Sequence, residues 1–131
     1  MSVGYQSKDG VELLISGSRY QSAGQNLFYK EFDDPSTNGG YARHCDYDRN
    51  YTSFAKLSYR DLTLEGAFSS RTKGIPTASF ETDFNEERNR TTDERGYVDL
   101  RYEHHFKNNL KLLSRLFYDS YNYEAGIYIQ V

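Results

Sequence analysis

The sequence from Asp46 to Asn50 (DYDRN) places oxygen-bearing side chains at alternate positions, as at the start of a calcium-binding loop. Such a loop also needs a glycine at its sixth position, for a sharp turn, and a bidentate glutamate at its twelfth. This chain has Tyr51 and Leu57 at those two positions. The pattern therefore does not predict a calcium site.

The histidines and the single cysteine are the other candidate metal ligands. His104 and His105 are adjacent, so on a strand they point to opposite faces and cannot chelate one ion together. His44 and Cys45 form a second adjacent pair, and an ordinary solvated turn accounts for them. One cysteine also excludes an internal disulfide. We predict no metal site and no cofactor.

Catalytic patterns have little support. No G-x-S-x-G nucleophile elbow occurs in the sequence. Glu65 with Glu103, or Asp99 with Asp119, are carboxylates that could meet across strands as an acid–base pair. Charge balance along a hydrated wall explains these residues more simply. We therefore predict that the protein is not an enzyme.

Apolar and polar residues alternate with a period of two in segments of about ten residues, which are separated by turn signals. This pattern predicts an all-β fold, an antiparallel up-and-down meander of about six strands. The first strand covers Val3–Ser7 and enters an Asp9-Gly10 turn, a strong hairpin signal. A helix over Asn108–Tyr118 is the local alternative, but the aromatic residues at its end favour a strand.

Short and long connections alternate along the chain. Lys8–Gly10, Tyr59–Asp61 and His105–Asn109 are short, whereas the connections at about 21–50 and 71–94 are long and rich in Gly, Asn, Asp and Thr. Loops longer than about 12–15 residues are uncommon in compact domains and are usually functional. Outer-membrane barrels combine tight periplasmic turns with long external loops. The alternation therefore favours a partial outer-membrane-type β-barrel.

The two faces of the predicted strands differ in character. A lipid-facing surface needs an apolar band flanked by aromatic girdles. The candidates for that surface are Tyr51, Leu57, Tyr59, Leu62, Leu64, Phe68, Val98, Leu100, Tyr102, Leu110, Leu112, Leu116 and Tyr118. The candidates to face a hydrated lumen are Lys56, Glu65, Arg101, Glu103, Lys111 and Arg115.

A soluble β-barrel or sandwich that binds a small apolar ligand is the alternative. Leu14, Phe54, Leu113 and Phe117 share the charged face and would line its interior. The two hypotheses differ in detergent dependence. A segment of a large barrel leaves strand edges unpaired and self-associates, whereas a self-contained carrier stays monomeric in buffer.

Composition narrows the function classes. The apolar fraction is 37%, below the ≈ 45–50% of typical soluble domains, and 13 of the aromatic residues are Tyr. Tyr suits sites where one end of the ring is dry and the other wet. A net charge of −3 argues against a nucleic-acid surface. No stretch is long and apolar enough for a transmembrane helix, and no signal peptide is visible near the start.

Three stretches resemble the early barrel of TonB-dependent outer-membrane receptors. They are FYKEFDDPSTNGGYAR (Phe28–Arg43), DYDRNYTSFAKLSYRDLTLEGAFSSRTKGIPTASFETDFN (Asp46–Asn85) and TTDERGYVDLRYEHHF (Thr91–Phe106). The D-R-N-Y strand opening, the S-R-x-K-G-I-P-T-A-S-F loop and the T-D-E-R-G-Y strand entry are specific in combination. The resemblance implies a 22-stranded barrel closed by a plug, which takes up iron chelates, cobalamin or other scarce ligands with energy relayed from the inner membrane.

The resemblance also implies the partners. The parent protein would lie in the bacterial outer membrane and contact its lipid, with the plug and the TonB-type energy coupling outside this chain. We expect residues 1–131 to be a single barrel segment, a fragment that is inactive alone, because about six strands are fewer than the eight of the smallest single-chain barrels. The extracellular ligand is not readable, and no ligand-contacting residue is carried over.

Overall fold

The computed structural model describes residues 1–129, and most of them lie in β-strands. The strands are β1 (Ser2–Gln6), β2 (Val11–Ser22), β3 (Leu27–Phe28), β4 (Tyr41–Ala42), β5 (Asp48–Tyr59), β6 (Leu62–Gly74), β7 (Arg90–His105) and β8 (Lys111–Gly126). Short 3-10 helices cover Lys30–Phe32, Pro35–Gly40 and Ser79–Glu81.

Six strands form one antiparallel meander in the order β1-β2-β5-β6-β7-β8, and β3 pairs with β4 in a separate two-stranded sheet. In the first ladder Ser2 lies opposite Ser16 and Gln6 lies opposite Glu12. The all-β, up-and-down meander of six strands is therefore confirmed. That this sheet belongs to an outer-membrane barrel stays a prediction.

The three tight connections each contain a residue in the left-handed region of backbone space. They are Gly10 (φ 83°) between β1 and β2, Arg60 (φ 53°) between β5 and β6, and Asn109 (φ 60°) between β7 and β8. Glycine and asparagine adopt such φ values at low cost, which is why they mark turns. β8 is extended, so the helical alternative for Asn108–Tyr118 is not observed.

The two long connections comprise residues 23–47 and 75–89, shorter at both ends than predicted. The strands extend further into these connections than predicted, because the backbone hydrogen bonds between strands form whether or not the side chains alternate between apolar and polar. The Thr72 and Thr92 hydroxyls, for example, are 3.2 Å apart across β6 and β7. Strand ends that are polar on both faces give no periodic signal, so sequence patterning places them in the loops.

The chain divides into two compact units. The turn-side unit comprises Met1–Ser18, Tyr51–Ser69 and Arg95–Tyr121, and it contains the three tight turns. The loop-side unit comprises Arg19–Asn50, Ser70–Glu94 and the residues from Asn122 onward, and it contains both long connections.

The buried apolar residues of the described chain, Ala42 and Cys45, lie in the loop-side unit. Its two long connections pack on each other: the Phe32 and Phe84 rings stack with centroids 4.3 Å apart. The Arg43 backbone N–H donates to Asn85 Oδ1 over 2.7 Å. Both loops are thus ordered by contacts between segments that are distant in sequence.

No helix within residues 1–129 has the length and apolar character needed to cross a membrane.

Candidate functional site

Most apolar side chains of the turn-side unit lie on the more exposed face of its sheet, which we call the apolar face. Tyr51 on β5 and Phe68 on β6 share this face, with ring centroids 5.9 Å apart. Leu64 is 43% exposed and Leu116 is 72% exposed. The other exposed candidates are Leu57, Tyr59, Leu62, Val98, Leu100, Leu110, Leu112 and Tyr118, and Tyr102 is half-buried.

The opposite side, the charged face, is the less exposed one on the central strands. Alternation along the strand places Thr63 and Glu65 on this face of β6, and both are half-buried, whereas the alternating Leu62 and Leu64 are exposed. On β7 the Asp99 carboxylate is buried, at 6% exposure. Soluble proteins distribute their residues the other way round, with apolar side chains inside.

Three ion pairs connect β7 and β8 along the charged face. They are Arg95–Asp119 (3.1 Å), Asp99–Arg115 and Glu103–Lys111 (2.8 Å). Their members are four residues apart on each strand, so all project to one side of the sheet. Cross-strand pairs of this kind neutralise charge and hold the register of the two strands. Three of the predicted lumen-facing residues, Glu103, Lys111 and Arg115, belong to this ladder.

Arg95, Asp99 and Asp119 complete the ladder, and the sequence analysis did not assign them to it. Asp99 and Asp119 do not pair with each other as two carboxylates, because each is bonded to an arginine. The signal was available: charges four residues apart on one strand are matched by opposite charges four apart on the next. It becomes readable only once the turn between β7 and β8 sets the register.

The remaining lumen candidates line two pockets of the turn-side unit. Glu65 and Arg101 line a small pocket of ≈ 240 Å³ together with the Asp99–Arg115 pair. Lys56 lines another of ≈ 460 Å³. All three side chains thus border hollows on the charged face.

The apolar residues of the charged face do not form one binding site. Leu14, Phe54 and Leu113 each line a different pocket. The Phe117 ring lies under the Arg115 guanidinium, 5.7 Å from its centre. A carrier for a small apolar ligand would need these side chains to converge, since such sites are lined mainly by apolar groups.

The carboxylates of the DYDRN segment are bonded to cationic side chains of the protein itself. Asp46 accepts from Lys73 Nζ, which also donates to the Asp46 backbone oxygen over 2.7 Å. Asp48 accepts two hydrogen bonds from Arg71. The Lys73 ammonium, as the main cause, holds the pKa of Asp46 below its ordinary value. These oxygens are therefore committed to ion pairs.

The two adjacent histidines have different partners. His104 Nδ1 is 2.6 Å from an Asp61 carboxylate oxygen, and His105 Nε2 is 3.1 Å from Glu103. Cys45 is buried, which raises the pKa of its thiol, and its Sγ donates to the Arg43 backbone oxygen. Within residues 1–129 no three His, Cys, Asp or Glu side chains are placed to hold one metal ion.

Arg88 holds Glu86 ionised in the second long connection. Two side-chain hydrogen bonds and one backbone hydrogen bond from Arg88 lower the Glu86 pKa to about 2. Because the folded pKa lies below the ordinary 4.5, this stabilisation is present above pH 4.5 and is lost as the pH falls towards 2.

We therefore expect the carboxyl ¹³C signal of Glu86 to titrate with a midpoint near 2. In the Arg88→Ala variant the midpoint should return towards 4.5, because the donors that favour the carboxylate are removed. A midpoint above 4 in the unaltered chain would contradict this geometry.

No protein-family model, curated protein sequence or solved structure matches the chain. The resemblance to TonB-dependent receptors therefore stays a prediction from the sequence motifs.

Proposed function

We propose that the chain forms part of the wall of an outer-membrane transport barrel of the TonB-dependent receptor type, which takes up scarce ligands such as iron chelates. In this role the apolar face contacts lipid and the charged face lines a hydrated interior. The observation that carries the proposal is the inverted distribution on the central strands of the turn-side unit, where Leu62 and Leu64 are exposed while Glu65 is half-buried and Asp99 is buried.

The accessible surface supports a chain that needs an apolar environment. It is 9963 Å², whereas a folded soluble monomer of this mass exposes about 7,100 Å². In the described residues, the fully buried apolar side chains are Ala42 and Cys45. Burial of apolar surface is the main favourable term in folding. Contact with lipid or with further protein would bury the apolar surface that this chain leaves exposed.

The edge strand β8 supports a larger sheet. It stands at one end of the strand order, and its residues up to Ala125 are exposed on both faces. Leu113 and Phe117 project from one face, and Leu116 and Tyr118 from the other. A long apolar edge of this kind is a template for pairing with another strand. In the proposed protein a neighbouring barrel strand covers it, and without that strand the chain self-associates.

The long connections fit the external side of such a barrel. They are held by packing between the two loops, including the Phe32–Phe84 stack, rather than by a strand ladder alone. Ligand-binding groups are commonly placed on loops that a rigid scaffold positions. A plug and the energy-coupling proteins would act from outside this chain, and the chain has no catalytic role.

Tryptophan quenching tests which face contacts lipid. The sequence has no Trp, so a single introduced Trp gives a unique signal. Leu64→Trp places it on the apolar face, and Thr63→Trp places it one residue away on the charged face. Both variants are dissolved in dodecylmaltoside micelles, to which either a brominated form of the detergent or aqueous iodide is added as quencher. We expect the brominated detergent to quench the fluorescence of Leu64→Trp strongly, and iodide to quench that of Thr63→Trp.

Two results would overturn the assignment of the faces. One is the reverse quenching pattern. The other is a chain that stays monomeric in detergent-free buffer and binds no detergent when detergent is added, because a self-contained soluble protein behaves in that way.

The receptor class has a separate test in the genome. Under the proposal, the reading frame around the chain encodes a plug domain on one side and further alternating strands on the other. A frame that encodes an unrelated soluble domain would contradict the receptor class, even if the apolar face contacts lipid.

A further inference from the structure

A pocket of ≈ 390 Å³ lies within the loop-side unit. Its volume is in the range of small-molecule sites, about 300–1,000 Å³. The charged and aromatic side chains that line it are Arg49, Arg88, Arg90, Glu87, His44 and Tyr47. They come from β5, from β7 and from both long connections, so the pocket exists only when the loops are packed together.

The lining charge is positive: it has three guanidinium groups and the Glu87 carboxylate, and Glu86 next to the pocket compensates the charge of Arg88 alone. The chain as a whole has a net charge of −3, so this concentration of cations runs against the overall balance. Like charges around one hollow repel each other, and that repulsion is relieved when an anion enters. Clefts lined by one sign of charge also raise the local concentration of oppositely charged ligands.

Two of the arginines are free to bind. Among the residues that the structure describes, the Arg49 and Arg90 guanidinium groups have no ion pair and no hydrogen bond. The Arg49 guanidinium instead lies over the Tyr47 ring, 5.2 Å from its centre, which restricts its conformations without using its N–H donors. Guanidinium groups bind carboxylates and phosphates in a bidentate manner.

Arg88 is held in place by other contacts. Its side chain pairs with Glu86 at 2.6 Å and lies over the Tyr128 ring, 4.3 Å from its centre. A group that is already ordered loses less conformational entropy when a ligand binds. The pocket thus combines one ordered guanidinium, whose charge is paired with Glu86, with two guanidinium groups that have no ion pair among the described residues.

We propose that this pocket binds a small oxyanion that carries at least two carboxylate or phosphate groups, with Arg49 and Arg90 as its bidentate ligands. Arg88, whose charge is paired with Glu86, adds an ordered guanidinium, and the neutral polar groups of Gln21 and Ser22 complete the lining. The inference goes beyond the proposed function, because binding in this pocket requires neither lipid nor transport.

Titration calorimetry with citrate and with inorganic pyrophosphate, at constant ionic strength, tests the site. We expect saturable binding of at least one, and the comparison of the two distinguishes carboxylate from phosphate ligands. Arg49→Gln or Arg90→Gln should weaken it about tenfold, the effect of losing one charge-assisted pair. Arg43→Gln is the matched control, because Arg43 is exposed in the same unit but does not line the pocket.

The control variant should change the affinity less than about twofold, a small free-energy difference. Arg49→Lys keeps the charge but loses the bidentate geometry, so it should weaken binding without disturbing the fold as judged by circular dichroism. The proposal is overturned if neither anion binds with a Kd below about 10 mM. It is equally overturned if Arg43→Gln weakens binding as much as Arg49→Gln, or if Arg49→Lys stays folded and binds as tightly as the unaltered chain.

Discussion

Replacing Gly74 by alanine should destabilise the loop-side unit by about 3 kcal/mol, at the upper end of the usual cost of overpacking. A Cβ at this position would lie 2.3 Å from the Cys45 backbone oxygen and 2.9 Å from the Tyr47 ring. Carbon and oxygen atoms do not approach this closely, and the clash is with backbone rather than with a mobile side-chain end. The Cys45–Tyr47 segment would have to move away from the end of β6.

Gly17→Ala is the matched control, since its Cβ would meet the Thr52 backbone oxygen at an ordinary 3.6 Å. The measurement is denaturant unfolding of both variants, followed by limited proteolysis of the long connections. We expect faster cleavage in the first connection for Gly74→Ala and almost no change for Gly17→Ala. Equal stability of the two variants would show that β6 does not approach Cys45 this closely.

Replacing Asn89 by alanine should cost about 2–4 kcal/mol, because it leaves two partners of a buried amide without hydrogen bonds. Asn89 is only 1% exposed. Its Nδ2 donates to the Asp83 backbone oxygen over 3.0 Å, and its Oδ1 accepts from the Tyr128 backbone N–H over 2.9 Å. The side chain therefore ties the second long connection to the segment that follows β8.

Amide hydrogen exchange measures this effect directly. The Tyr128 N–H should be protected in the unaltered chain and should exchange much faster in Asn89→Ala. Asn26→Ala is the control, because Asn26 is an exposed asparagine in the first long connection. Unchanged protection of Tyr128 in Asn89→Ala would rule out the bridging role of the Asn89 side chain.

Both substitutions act on a unit that polar contacts hold together. In the loop-side unit the buried positions include Asn89 and Thr82 as well as Ala42 and Cys45. In the described chain no buried side-chain nitrogen or oxygen lacks a hydrogen bond. An ordered polar network tolerates little change, because each group left unpaired adds a desolvation cost. The unit that carries the proposed anion pocket should therefore be the more sensitive of the two to single substitutions.

The sequence by itself determined the six strands of the meander, the tight turns and the alternation that gives each strand an apolar and a charged face, whereas β3 and β4 lie in a connection that it predicts without strands. All three depend on local properties: a period of two assigns each side chain to a face, and residues such as Gly10 and Asn109 mark turns. Leu62, Leu64 and Phe68 could therefore be placed together before any strand pairing was known. The strand ends could not, since polar residues on both faces leave no alternation to detect.

The tertiary structure alone decided which distant residues meet. The Arg95–Asp119 pair forms only when β7 and β8 pair in the observed register. Asn89 is buried only when the long connections pack on each other. The Arg49–Arg90 pocket likewise joins two separate strands. Such contacts depend on chain segments far apart in sequence, whose pairing is set by the sum of many weak interactions rather than by any local pattern.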